Sequence, residues 1–78
     1  MRDFYARKLG AMKMAEDLIK QVTKSGAKAK ASELLNEVHR NTGFNRVIER
    51  HLKELISIGN VKQSYSESGE CLLEWVEQ

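Results

Sequence analysis

The stretch from Thr42 to Val61, TGFNRVIERHLKELISIGNV, constrains this chain most, because one helix there must satisfy two environments at once. At about 100° per residue, Phe44, Val47, Ile48, His51, Leu52, Leu55 and Ile56 fall on one side. Asn45, Arg46, Glu49, Arg50 and Lys53 gather within about 140° of arc on the other. The first face needs a core to pack against. The second needs water or a polar partner. Asn41 and Thr42 are good capping residues for the start of this helix, which runs to about Ile58 before Gly59-Asn60 ends it.

A chain of 78 residues supports one domain whose core is large enough to fold and small enough that self-association would help. Hydrophobic residues are 41% and charged residues 31%, which excludes a disordered tail. No apolar run is long enough to span a bilayer, and no basic start with an apolar middle marks a signal peptide. Cys71 is the only cysteine, so an internal disulfide is excluded and a reducing cytoplasm is the expected setting.

Charge is partitioned along the chain. Residues 1–62 hold all 13 Lys and Arg against 7 acids, a net +6, and residues 63–78 hold 4 Glu and no base. A basic body is the electrostatic footprint of a protein that sits on phosphates.

Upstream, residues 3–24 form a stripe of Phe4, Ala11, Met12, Ala15, Ile19 and Val22, which predicts a helix stopped by Ser25-Gly26. Gly10 and the intrusion of Lys8 into that stripe set residues 1–10 apart from the core, residues 11–76. With Arg2, Phe4, Tyr5, Arg7 and Lys8, that extension reads as a dimer contact, a phosphate-binding arm or a frayed helix start. Residues 27–30 alternate as a short edge strand. Ala31, Leu34, Leu35 and Val38 then mark a second amphipathic helix, with Ser32 or Lys30 near its start. The polar turn Arg40-Asn41-Thr42-Gly43 links it to the next helix, making a helix-turn-helix.

After Gly59 the period changes to alternation. A three-residue loop, Glu67-Ser68-Gly69, with Gly69 left-handed, pairs Ser66 with Glu70 in a hairpin. This register puts Val61, Tyr65, Cys71, Leu73 and Trp75 on one face. On the other it sets Lys62 opposite Glu74 as a cross-strand ion pair, and Ser64 opposite Leu72.

Helix, short strand, helix, turn, helix and hairpin resembles the winged helix-turn-helix superfamily. The likeness is carried by Glu33-Leu34, Ile48, Arg50-x-Leu52, Leu55 and Gly59-Asn60-Val61, over residues 12–76. It implies an α+β, mostly helical fold: a three-helix winged helix-turn-helix with a C-terminal β-hairpin wing. It also implies double-stranded DNA as partner. The family commonly places Ser or Thr where Lys30 stands, and its wing tip is often basic where this chain has Glu67 and Glu70. The Z-form nucleic-acid binders of the superfamily are set aside, because Glu49 replaces the Asn expected before the reading Arg and the chain has no proline.

Asn45, Arg46, Glu49, Arg50 and Lys53 have the chemistry for reading base edges: Arg pairs bidentately with guanine, Asn with adenine, and Glu accepts from the cytosine amino group. The competing reading is a solvated face held by a Glu49–Lys53 ion pair. Lys28, Lys30, Arg40 and Thr42 are candidate phosphate contacts. His39, His51 and Cys71 lack the spacing of a metal site. His51 reads as a boundary residue of the core, Cys71 as a small buried hydrophobe, and Trp75 with Tyr65 as core rather than a stacking platform. No catalytic arrangement, cofactor motif or small-molecule site is evident. The expectation is a non-enzymatic, sequence-specific binder of double-stranded DNA that acts as a homodimeric transcriptional regulator or repressor in the cytoplasm, associated with the nucleoid. The alternatives are a winged-helix protein-interaction module and a replication or plasmid-maintenance factor.

Overall fold

The computed structural model describes residues 2–76, without the side chain of Arg2. The elements run α1 (Arg2–Lys24), β1 (Ala29–Lys30), α2 (Ala31–Thr42), α3 (Arg46–Ser57), β2 (Val61–Tyr65) and β3 (Cys71–Trp75). The fold is α+β and mostly helical, a three-helix winged helix-turn-helix whose wing is the β2–β3 hairpin.

Each helix stops where a glycine lets the chain turn. After α1, Gly26 takes φ 89°, its N–H donates to the Thr23 carbonyl, and the Ala27 N–H donates to Val22. After α3, Gly59 takes φ 87°, its N–H donates to Ile56, and the Asn60 N–H donates to Leu55. Both are paired C-terminal closures that satisfy carbonyls left open by the last turn. The closure of α3 also aims the chain directly into β2, whose Val61 is buried.

The core is thin. Among the described residues its buried members are Ala11, Ala15, Ile19, Ala29, Leu34, Val38, Ile48, Leu52, Leu55, Val61 and Leu73, and three of these are alanines. Ala11, Ala15 and Ile19 recur at every fourth position of α1, so α2, α3 and the sheet approach that helix closely. Ile19, Ile48, Leu73 and Val38 are the largest fully buried side chains. Truncating a buried Leu or Ile to Ala costs about 2–5 kcal/mol, comparable to the whole stability of a domain this small.

The sheet order is β1-β3-β2 with all pairs antiparallel, so the last strand lies in the middle. The hairpin has the register expected from alternation: Val61 opposite Trp75, Lys62 opposite Glu74, Ser64 opposite Leu72 and Tyr65 opposite Cys71. Gly69 is left-handed at φ 86°, and the Ser66 N–H donates to the Glu70 carbonyl. The predicted edge strand is present as Ala29 and Lys30, paired with Leu73 and Leu72.

Several expectations are corrected. Thr42 and Asn41 do not cap α3; both belong to α2 or its last turn. The Thr42 hydroxyl donates to the Val38 carbonyl, and the Asn41 amide donates to the Glu37 carbonyl. Asn45 occupies the cap position of α3 without a side-chain cap bond. At the start of α2, Lys30 stands at the cap position and no side chain caps the helix, Ser32 included. Tyr65 is not core: it is 66% exposed, although Cys71 opposite it is partly buried against the core. Among the described residues Lys62 and Glu74 face each other without closing an ion pair. The first turns of α1 belong to one continuous helix running through Gly10. They are anchored by Phe4, whose ring meets Phe44 edge-on at 5.6 Å.

Candidate nucleic-acid interface

The outer face of α3 is built by the turn before it. Gly43, at φ 81°, ends α2 and donates its N–H to His39, and the Phe44 N–H then donates to the Thr42 hydroxyl. Thr42 therefore bonds backbone on both sides of the turn and sets the angle at which α3 leaves α2. Phe44 packs against the core, and Ile48, Leu52 and Leu55 bury the inner stripe of α3. Asn45, Arg46, Glu49, Arg50 and Lys53 are all exposed on the opposite side.

These five side chains make no hydrogen bond or ion pair among the described residues. The Glu49–Lys53 pair that would mark a self-satisfied solvent face is not formed. Asn45 caps nothing with its side chain, although its carbonyl accepts from the Glu49 N–H at 2.9 Å. The face thus presents three cations, a carboxylate and an amide with their bonding capacity open.

The four candidate phosphate contacts are not alike. Lys28 is exposed and, among the described residues, unpaired; it lines an open groove of about 280 Å³ between α1, β1 and α2. Arg40 donates to the Glu37 carboxylate at 3.1 Å, in an exposed pair. Lys30 lies between two carboxylates, 3.6 Å from Glu33 and 3.5 Å from Glu70. Thr42 is held by its two backbone bonds. The structure brings the α3 set together on one face and leaves the phosphate set dispersed.

The wing is acidic but partly compensated. Lys30 pairs with Glu70 because β1 lies against β3, a contact that depends on the sheet order and has no local signature in the sequence. Glu70 also receives a bond from the Ser68 hydroxyl at 3.4 Å, and its N–H donates to the Ser66 hydroxyl at 3.0 Å. Glu67, at the tip, is exposed and unpaired among the described residues.

Behind α3, His51 Nε2 and Glu16 Oε2 on α1 are 2.7 Å apart. His51 is at the core boundary, with its side chain 11% exposed. On the inner face of the hairpin, Cys71 is half-buried and its sulfur accepts from the Gln63 amide at 3.2 Å. Trp75 is partly buried, donates its backbone N–H to the Thr23 hydroxyl at 2.8 Å, and is covered by the Lys20 ammonium 4.5 Å from its ring. His39 is exposed on α2. Among the described residues no group of acids, histidines and cysteine is arranged to hold a metal, and no helix is long and apolar enough to cross a membrane.

No protein-family model, curated protein or solved structure matches this chain.

Proposed function

We propose that this chain binds double-stranded DNA by laying the outer face of α3 in the major groove, and that it acts by occupancy as a small transcriptional regulator. The observation that carries the reading is the set Asn45, Arg46, Glu49, Arg50 and Lys53: exposed together on one helix and unengaged by the rest of the protein. A helix fits the major groove, and these side chains are the donors and acceptors that read base edges there. Lys28 and Arg40 would contribute phosphate contacts, which position the protein without specifying sequence. The acidic tip at Glu67 disfavours insertion of the wing beside a phosphate backbone, so α3 would carry most of the contact.

One such module makes few base contacts, and a homodimer reading two half-sites about 34 Å apart would multiply them. The exposed Phe4, Tyr5 and Leu9 on the first turns of α1 support a protein contact in this region, either with a second copy or with another partner. They also favour the second reading, a winged helix used as a protein-interaction module. Gel-shift titration against random duplex at low and at moderate salt separates the two. DNA binding predicts retention that weakens steeply with salt. Absence of retention at low salt would refute it in favour of the interaction module.

A further inference from the structure

β2 is an edge of the sheet, and the hairpin register fixes which of its backbone groups are free. The Val76 N–H donates to the Asn60 carbonyl and the Ser66 N–H to the Glu70 carbonyl, and the pairs between them keep one offset throughout. Lys62 and Ser64 therefore exchange their backbone bonds with β3, while Val61, Gln63 and Tyr65 turn their N–H and C=O groups outward. β3 obeys the same alternation: the Trp75 N–H points away from β2 and meets the Thr23 hydroxyl. No described residue bonds the outward groups of Val61, Gln63 and Tyr65.

Such an edge is a template for another strand unless proline, a bulge or an inward charge blunts it. The chain has no proline, and β2 pairs without a bulge. Two large apolar side chains left exposed flank the same edge: Ile58 just before β2 and Tyr65 at its end, each 66% exposed. An antiparallel copy of this strand would bring Tyr65 of one molecule to the Ile58 end of the other.

The strand is complementary to itself in one such register. With Gln63 opposite Gln63 of the second copy, Val61 faces Tyr65 and every outward N–H and C=O finds a partner. On the solvent face Lys62 then stands across from Ser64 of the second copy, with Glu74 of its own hairpin on its other side. A shift by two residues in either direction leaves one outward residue unpaired, and the shift toward α3 also sets Lys62 against Lys62, like charges directly opposite.

We propose that β2 pairs antiparallel with β2 of a second copy, about a two-fold axis at Gln63, joining the two three-stranded sheets edge to edge. The pairing covers Tyr65, and it engages the wing in self-association, in keeping with an acidic tip at Glu67 that is ill suited to a phosphate backbone. Two five-residue edges bury less than the roughly 1,200 Å² of a standard interface, which makes this a concentration-dependent dimer. It does not depend on the chain binding DNA and is tested without DNA.

Sedimentation equilibrium of the free protein between about 10 μM and about 1 mM should show reversible dimerisation. Amide exchange at Val61, Gln63 and Tyr65 should slow as concentration rises, while Lys62 and Ser64 stay protected throughout. Ser64→Lys places a like charge opposite Lys62 of the second copy and should weaken the dimer about twofold to thirtyfold, since the contact occurs twice; Ser64→Glu should strengthen it by a similar factor. Gln63→Pro removes an N–H that the monomer leaves unbonded and should weaken dimerisation about tenfold or more. The two Ser64 variants lie on the polar face of the hairpin, so the test survives if Gln63→Pro fails to fold. A monomer at the highest concentration overturns the proposal, and so does a dimer indifferent to the sign of the charge at position 64. A dimer that Leu9→Lys dissolves and the β2 variants leave intact lies on α1 and overturns it as well. Failure of the DNA reading leaves each of these results standing.

Discussion

His51 on α3 and Glu16 on α1 meet at 2.7 Å across the helical layer, side chain to side chain. It ties the helix that carries the outward face to the helix that carries the core, between residues 35 positions apart. The orientation of Arg46, Arg50 and Lys53 therefore rests on a polar clamp as well as on Ile48 and Leu52.

Removing that clamp should be costly because one partner would be left half-buried and unmet. Glu16→Ala is expected to lower stability by about 1–3 kcal/mol in urea denaturation. A double-mutant cycle with His51→Ala should return a coupling of at least about 0.5 kcal/mol; additive single effects would show that the two side chains act independently.

Glycines at two positions should respond with opposite sign. Gly10 lies inside α1 with open space where a Cβ would sit, so Gly10→Ala should stabilise the protein by up to about 1 kcal/mol. Gly59 also has open space but stands at φ 87°, so Gly59→Ala should destabilise by about 1–2 kcal/mol. Thermal midpoints of the two variants against the parent check both.

The Trp75 backbone N–H has the Thr23 hydroxyl as its partner, which joins β3 to the last turn of α1. Thr23→Val keeps the shape and removes the acceptor, leaving a part-buried donor unmet. A loss of about 1–3 kcal/mol is expected. A change within experimental error would mean that water replaces the hydroxyl at this edge.

On the proposed DNA face, Arg46→Ala and Arg50→Ala should each reduce specific binding by about 1–3 kcal/mol and relax preference at the bases they read. Sites selected from a random duplex pool, with affinities measured for both variants, provide the check. Full affinity in the double variant would sink the assignment of α3 as the reading helix.

Charge at the wing should tune binding without affecting the fold. Lys30–Glu70 is an exposed pair, worth about 0–1 kcal/mol. Glu67→Lys should leave stability unchanged and strengthen binding to all duplexes, steepening the salt dependence by about one phosphate contact if the tip reaches the backbone. An unchanged slope places the wing away from DNA.

The order of elements, the helix stops at Gly26 and Gly59, and the hairpin register were legible in the chain, because each rests on local periodicity and on glycines that alone adopt left-handed turns easily. The two faces of α3 were legible for the same reason: a repeat near 3.6 residues separates inner from outer positions whatever the helix packs against. Tertiary structure decided the partners. Lys30 became a neighbour of Glu70 only because β3 inserts between β1 and β2, and Phe4 found Phe44 only because α1 extends past the core beside the turn. Thr42 turned to its own helix instead of capping the next, and Tyr65, inward by register, was left exposed while Cys71 opposite it packs against the core. Periodicity specifies which side of an element faces inward; how far the neighbouring element extends, and which charge it brings, depends on residues distant in sequence that meet only in the folded chain.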